Sequence, residues 1–335
     1  MTCFDRVANF LALINAANRA ARGHRHRREV ASFLADLEPS LLQLERELRS
    51  ETYAPQPYRT FEIVDPKPRT ISAAAFRDRV VHHALCAELV PVLEHGAVPW
   101  SFACRPGHGV LAALRHVRAM TRRHRYVLKL DVRHYFETLS HAVLKRLLWR
   151  RVADTPLRRL LDVFIDAGAP GSSPGRGLPI GNLTSQHFAN FMLGSLDRLV
   201  TRGLRAPGYR RYMDDVLVFG ADKASLWHVF GQVDRFLRTR LGLKLKPEVT
   251  RVLPVTEGVP YLGFVVFPTV TRLDPSRLRR FRRRLLSLDR GLWSGSLAES
   301  EAAQRASSLI GWARHADTVM LRRSWLERRA SALIR

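Results

Sequence analysis

Three aspartates that interrupt apolar segments are the residues of this sequence with the clearest potential for chemistry. Asp214 and Asp215 are adjacent, with Tyr212-Met213 before them and apolar residues after them, and Asp131 lies near the end of the apolar segment 126–132. Carboxylates in such segments are costly to bury unless a cation neutralises them. Brought together, they would form the oxygen-rich site that Mg²⁺ prefers. Two Mg²⁺ ions in such a site can activate a hydroxyl group and stabilise a leaving pyrophosphate.

The adjacent aspartates also have a simpler interpretation, because aspartate is a common turn residue. Segment 209–220, YRRYMDDVLVFG, predicts a β-hairpin with both acids at its tip. The arms on either side of the acids are apolar, whereas a merely polar turn needs no such flanks. We therefore favour the metal-binding interpretation over the polar turn.

Apolar periodicity predicts the elements that must position these aspartates. Strands are expected over 58–64 and 126–132, in the hairpin 209–220, and as a strand pair near 249–267. Prolines exclude a helix from 53–71, and segment 168–181 is a loop rich in Gly, Pro and Ser. Helices are expected at about 4–20, 29–49, 75–93, 140–150, 156–167, 183–203 and 223–241, and again after 275.

The charge of the chain indicates a polyanionic partner. Lys and Arg number 55 against 30 Asp and Glu, which gives a formal net charge of +25 among 335 residues. A surplus of this size favours nucleic acid. Six of the basic residues are lysines, so the arginine excess also fits GC-rich codon usage.

Composition excludes several other classes. A hydrophobic content of 46% is too high for a disordered basic tail. No apolar run approaches the ~18 residues of a membrane-spanning helix, and no secretory signal is visible, so a cytoplasmic location is expected. Three scattered cysteines predict neither structural zinc nor a disulfide framework.

Five segments in order resemble the motifs of reverse transcriptases. They are Asp131 with Tyr135-Phe136, GLPIG at 177–181, YMDD at 212–215, LKLK at 243–246 and GVPYLG at 258–263. The resemblance covers about residues 58–270. It implies an α+β right-hand polymerase fold and RNA-directed DNA synthesis by two-metal nucleotidyl transfer. The implied organisation is a helical N-terminal extension at 1–52, fingers at 53–125, a palm with a finger insertion at 126–272 and a helical thumb at 273–335.

The resemblance also implies roles for individual residues. Asp131, Asp214 and Asp215 would be catalytic and would ligate two Mg²⁺ ions, with the Val132 carbonyl as a further candidate ligand. Lys67 and Arg69 would grip the incoming triphosphate, unless they are simply solvated loop charges.

Two further positions are implied to act on the substrate. Phe136 would lie under the sugar and reject a 2′-hydroxyl, unless it is a core aromatic. Lys244 or Lys246 would protonate or bind the leaving pyrophosphate, and the sequence does not choose between them.

The loop after residue 176 bears on the subfamily. Group II intron and retron enzymes usually have Gln where this chain has Ile180, and Pro where it has Gln186. With Gly181, these residues would contact the substrate. The variant resembles diversity-generating retroelement reverse transcriptases, and segments 78–85 and 103–109 support the resemblance.

That group implies a template RNA, a cDNA or DNA primer, dNTPs and a small basic accessory protein, in a prokaryotic cell or as a phage-encoded enzyme. It also implies errors at template adenines, and we hypothesise that Ile180 contributes to them; the alternative is that Ile180 packs the loop. Other interpretations are a group II intron-like, retron or phage-defence reverse transcriptase, or a non-catalytic RNA-binding scaffold. The arginines within 276–286 would track a phosphate backbone, unless they form a solvated helix face.

Overall fold

The computed structural model describes residues 2–64 and 68–324. Lys67 of the predicted triphosphate site, and the last eleven residues of the predicted thumb (325–335), lie outside the described residues.

The chain begins with four helices where two were expected. They are α1 (Cys3–Val7), α2 (Phe10–Ala21), α3 (Arg28–Ala35) and α4 (Leu37–Arg49). The break in the first predicted helix has a local cause, because the Asn9 side chain accepts hydrogen bonds from the backbone N–H groups of Leu11 and Ala12 and caps α2. A non-helical Asp36 separates α3 from α4.

An exposed hairpin and two long helices follow. The hairpin pairs β1 (Arg59–Val64) with β2 (Pro68–Ala73), from Arg59 opposite Ala73 to Val64 opposite Pro68. Helix α5 (Phe76–Glu94) packs against α2, so it joins the N-terminal helices to the rest of the chain. Helix α6 (Val110–Thr121) leads to the central sheet.

The middle of the chain supplies the central strand and a layer of helices. Strand β3 (Tyr126–Asp131) is followed by α7 (Tyr135–Thr138), α8 (His141–Trp149) and α9 (Thr155–Asp166). After the loop, α10 (Leu183–Met192) and α11 (Gly194–Arg198) replace the single helix expected over 183–203, and a π-helical turn over Leu199–Gly203 ends the segment.

The central sheet has four antiparallel strands. Strands β4 (Gly208–Tyr212) and β5 (Asp215–Gly220) form the predicted hairpin, α12 (Lys223–Phe236) follows with a π-helical turn, and β6 (Arg251–Pro254) completes the sheet. The strand order is β4-β5-β3-β6.

Segment 249–267 contains the expected strand pair, with Tyr261 opposite Phe264, and also a third strand that pairs elsewhere. Strand β6 pairs with β3, whereas β7 (Val259–Tyr261), β8 (Phe264–Val266) and β9 (Thr271–Leu273) form a second antiparallel sheet. Periodicity identifies a strand such as β6 but not its partner, which here is distant in sequence. Two helices, α13 (Pro275–Trp293) and α14 (Glu299–Ala313), follow.

The two faces of the central sheet belong to different cores. Leu128 and Val218 pack with the N-terminal and central helices, whereas Val127 and Phe219 pack with α6, the second sheet and α13. This alternation follows from the two-residue period of a strand. The predicted α+β class is confirmed. No helix within 2–64 and 68–324 is both long and apolar enough to cross a membrane.

Candidate active site

A tight turn places the two adjacent aspartates beside the third. Strand β4 ends at Tyr212 and β5 begins at Asp215, and Met213 in the turn has a φ of 53°. Asp215 lies directly opposite Asp131 in the β3–β5 register. The structure therefore brings Asp131, Asp214 and Asp215 to one end of the central sheet.

The electrostatics of this group are those of a carboxylate cluster. Burial, the charge of Asp131 and the charge of Asp215 together raise the pKa of Asp214 to about 6, whereas the Arg69 guanidinium acts in the opposite direction. Burial also raises the pKa of Asp215, against the lowering effect of Lys129. Asp131 is thus close enough to Asp214 and Asp215 to oppose the ionisation of both, and Asp215 opposes the ionisation of Asp214.

The donor set suits a divalent cation. All three side chains offer hard carboxylate oxygens. Within the described chain, the buried Oδ1 of Asp215 accepts no hydrogen bond. A bound cation would coordinate this oxygen and relieve the mutual repulsion of the carboxylates.

The cluster is not already closed around an ion position. No group of three or more His, Cys, Asp or Glu side chains in 2–64 and 68–324 is arranged to hold a metal ion. Val132 is buried and forms an isolated β-bridge with Leu245. The ligand roles of Val132 and of the three aspartates therefore stay predictions.

An arginine that sequence reasoning missed holds the turn. Arg211 is 1% exposed, and its Nε and Nη2 each donate to an oxygen of Asp197 at 2.6 Å. Its Nη1 donates to Asn190 Oδ1 at 2.8 Å and to the Met213 carbonyl at 3.0 Å. Although burial opposes its charge, Asp197 raises the pKa of Arg211. Because this network binds the Met213 carbonyl, it fixes the turn that presents Asp214.

The sequence indicates that Arg211 needs an acidic partner, but not which residue that partner is. An arginine inside a strand of a buried sheet requires an acidic partner, and Arg211 lies immediately before the YMDD segment. The partner lies on α11, and only the tertiary structure identifies it.

The predicted nucleotide loop lies against the β1–β2 hairpin. The Ser72 backbone N–H donates to the Ile180 carbonyl at 2.8 Å. Gly181 has a φ of 118°, and a Cβ there would come within 2.9 Å of Ile71 Cγ2. Ile180 is half-buried and lines a cavity of 530 Å³ together with the exposed Arg69. The structure therefore brings Arg69, Ile180 and Gly181 together.

Gln186 lies apart from that group. Its Oε1 is 3.7 Å from Cys104 Sγ, on the side of α10 that faces the segment before α6. Among the described residues, Gln186 does not line the cavity of Ile180 and Arg69.

Phe136 is half-buried. It packs against the core that the sheet forms with the N-terminal and central helices. It also packs against the Tyr135 ring, with centroids 5.9 Å apart. Its carbonyl accepts a hydrogen bond from the Leu178 N–H at 2.8 Å, which ties the nucleotide loop to the segment after Asp131.

The two candidate lysines flank the end of β3. The Lys246 N–H donates to the Asp131 carbonyl at 2.9 Å, and the Arg133 N–H donates to the Lys244 carbonyl at 2.8 Å. Lys246 is half-buried and Lys244 is exposed. The backbone of Lys246 is therefore directly bonded to that of a predicted catalytic aspartate.

Comparison with known proteins agrees with this geometry. The family model "Reverse transcriptase (RNA-dependent DNA polymerase)" matches residues 64–266. Protein YkfC of Escherichia coli (strain K12) is 28% identical over 272 residues, which cover 68% of this chain and 71% of that protein. Group II intron-encoded protein LtrA of Lactococcus lactis subsp. cremoris is 25% identical over 170 residues, 49% of this chain and 28% of LtrA.

Solved structures give a weaker likeness. Apo telomerase from Candida Tropicalis is 11% identical with a TM-score of 0.48, and the match covers 69% of this chain and 53% of that one.

Proposed function

The chain belongs to the reverse transcriptase family of RNA-dependent DNA polymerases, and on that premise we propose that it copies the template RNA of a diversity-generating retroelement into adenine-mutated cDNA. The right-hand polymerase fold predicted from the sequence is confirmed. Members of this family use divalent metal ions, bind an RNA template and extend a nucleic-acid primer.

The residues at the end of the central sheet suit nucleotidyl transfer. Divalent ions bound there would activate the primer 3′-hydroxyl and neutralise the charge of the leaving pyrophosphate. Asp131, Asp214 and Asp215 would hold those ions. Arg69, close enough to Asp214 to lower its pKa, offers a bidentate fork for the triphosphate.

The observation that carries the mutagenic assignment is the position of Ile180. Its backbone is held by Ser72, and its side chain lines the same cavity as Arg69. A glutamine there could donate a hydrogen bond to a nucleotide, whereas isoleucine offers shape alone. Loss of one such bond weakens discrimination by about 1 kcal/mol, roughly fivefold in selectivity.

Sequencing of cDNA made from an associated template RNA, with errors scored by template base, tests the proposal. Ile180→Gln should lower the error rate at template adenines. Ile180→Leu, which keeps an apolar side chain, is the matched control and should leave the spectrum unchanged. An unaltered spectrum in Ile180→Gln would show that this side chain does not set fidelity.

A group II intron-type reverse transcriptase is the second candidate, and the identity with LtrA favours it. The same sequencing experiment separates the two, because a group II intron-type enzyme is expected to show no concentration of errors at adenines.

A non-catalytic RNA-binding scaffold is the alternative from another class. Primer extension with Mg²⁺ decides it: a scaffold would incorporate no more nucleotide than the Asp214→Asn/Asp215→Asn double variant.

The exposed side of α13 suits a template–primer duplex. Phe281, Leu285 and Leu288 are buried on one side of this helix, whereas Arg279, Arg282, Arg283 and Arg284 are exposed. Exposed arginines in a row suit the phosphate backbone of a template–primer duplex. We also propose that the enzyme works with a small basic accessory protein and acts in the cytoplasm.

A further inference from the structure

Lys129 makes an ion pair with one of the three aspartates. It lies on β3 two residues before Asp131, so both side chains project from the same face of the strand. Its Nζ is 3.1 Å from each carboxylate oxygen of Asp215 and donates a hydrogen bond to Oδ2. The side chains of Lys129 and Asp215 are 11% and 19% exposed. The pair is therefore largely shielded from water, where its attraction is screened less than at a surface.

The ammonium group is also held from the second sheet. Nζ donates to the Pro260 carbonyl on β7 at 2.8 Å, and it lies 5.9 Å from the centroid of the Tyr261 ring. Lys129 thus links β3, β5 and β7 at the point where the carboxylates meet. An ammonium group with two hydrogen-bond acceptors and an aromatic neighbour has a defined position.

A divalent ion bound by the three aspartates would compete with the Lys129 ammonium group for the Asp215 carboxylate. Asp131, Asp214 and Asp215 converge, yet they do not form a closed three-ligand group among the described residues. The Asp215 carboxylate is turned toward Lys129, which supplies its compensating charge. An ion that uses Asp215 must displace the ammonium group or share the carboxylate with it, and both lower the affinity.

We propose that Lys129 is an internal cation that holds Asp215 in the metal-free enzyme and competes with divalent ions for this carboxylate. Lys129 thereby sets the concentration of divalent ion at which the site fills. It is a positioning residue, because it acts through Asp215. The inference rests on the ligand role proposed for Asp215 and not on the retroelement subclass.

Calorimetric titration of MgCl₂ into the full-length, metal-free protein measures the effect directly. Lys129→Met should tighten the Kd for Mg²⁺ by at least tenfold, because a unit charge a few ångströms from the carboxylate interacts with it by more than that factor at an effective dielectric of about 20. Lys129→Gln removes the charge but can still donate to the Pro260 carbonyl, so it should tighten the Kd as well and guards against loss of folding in the Met variant. Lys129→Arg keeps the charge and should stay within about twofold of wild type.

Lys223→Met is the matched control. It removes the same charge near the opposite end of β3, where Lys223 lies 5.5 Å from the Tyr126 ring, and it should leave the Kd unchanged. Primer extension over a range of MgCl₂ concentrations should show half-maximal activity at a lower concentration in the Gln variant than in wild type.

The Asp215→Asn variant distinguishes a failure of the ligand role of Asp215 from a failure of the competition by Lys129. If it leaves the Kd for Mg²⁺ unchanged, Asp215 is not a ligand and the metal-site proposal is wrong. If it weakens binding while both Lys129→Met and Lys129→Gln bind Mg²⁺ no more tightly than wild type, the ligand role stands and the competition by Lys129 is overturned.

Discussion

Replacing Asp214 with asparagine should stabilise the metal-free protein while removing a predicted metal ligand. Burial, then the charge of Asp131 and that of Asp215, raises the pKa of Asp214 from its usual 3.8 to about 6. The fold therefore disfavours the ionised carboxylate that is present at neutral pH. Asparagine has nearly the same shape without the charge, so it avoids this penalty.

The magnitude follows from the size of the rise. A pKa raised from 3.8 to about 6 corresponds to about 3 kcal/mol between the two protonation states. Because the folded pKa lies above the unfolded one, stability from this group is fully present below about pH 4 and is lost as the pH rises through about 6. The advantage of Asp214→Asn should be about 3 kcal/mol at pH 8 and about 1 kcal/mol at pH 4.5.

Urea unfolding in EDTA, followed by tryptophan fluorescence at both pH values, measures this difference. The control is Asp222→Asn. Asp222 is exposed and caps α12 by accepting from the Ser225 N–H at 2.8 Å, which lowers its pKa. Asparagine caps a helix about as well as aspartate, so the control should gain no stability.

Two results would refute the reasoning. The first is an Asp214→Asn protein that is no more stable than wild type at pH 8. The second is an advantage that does not shrink at the lower pH, because it would then not arise from ionisation. Saturating Mg²⁺ should stabilise wild type more than Asp214→Asn, since the ion binds the folded state and relieves the same repulsion.

Three further predictions test other contacts of the site. Arg211→Met leaves the buried Asp197 carboxylate without its cation and should lower the free energy of unfolding by about 3–5 kcal/mol; a urea titration matching wild type would contradict the role given to this pair. Gly181→Ala should reduce primer extension with an unchanged circular dichroism spectrum, because the new Cβ meets Ile71 at 2.9 Å; full activity would show that the hairpin and the loop need not touch. Arg69→Ala should raise the KM for dNTPs by about tenfold, with a smaller effect on kcat, whereas Arg59→Ala on the partner strand should leave the KM as it is.

Local sequence patterns predicted the elements that present the carboxylates. The alternation on either side of Asp214 and Asp215 predicts a hairpin, and the structure has it as β4 and β5. The apolar segment around Asp131 predicts β3, which ends at that residue. These predictions hold because a strand of a buried sheet must bury its side chains whatever its partners are.

Other boundaries depended on details that periodicity does not capture. The cap at Asn9 and the break at Asp36 divide predicted helices whose apolar spacing continues across them. The strand pair expected near 249–267 is present as β7 and β8, but the sequence did not indicate that β6 joins β3. Pairing depends on which edge of a sheet is open, and that is known only when the whole sheet has formed.

The sequence by itself therefore determined the strands, the acids at their ends and the positive charge of the chain. The tertiary structure alone decided which charge meets which: Arg211 with Asp197, and Lys129 with Asp215. The physical reason is that periodicity is a short-range pattern. It indicates which side chains of one helix or strand are buried. The neutralisation of a buried charge is a contact between elements, and its partner can lie on any of them.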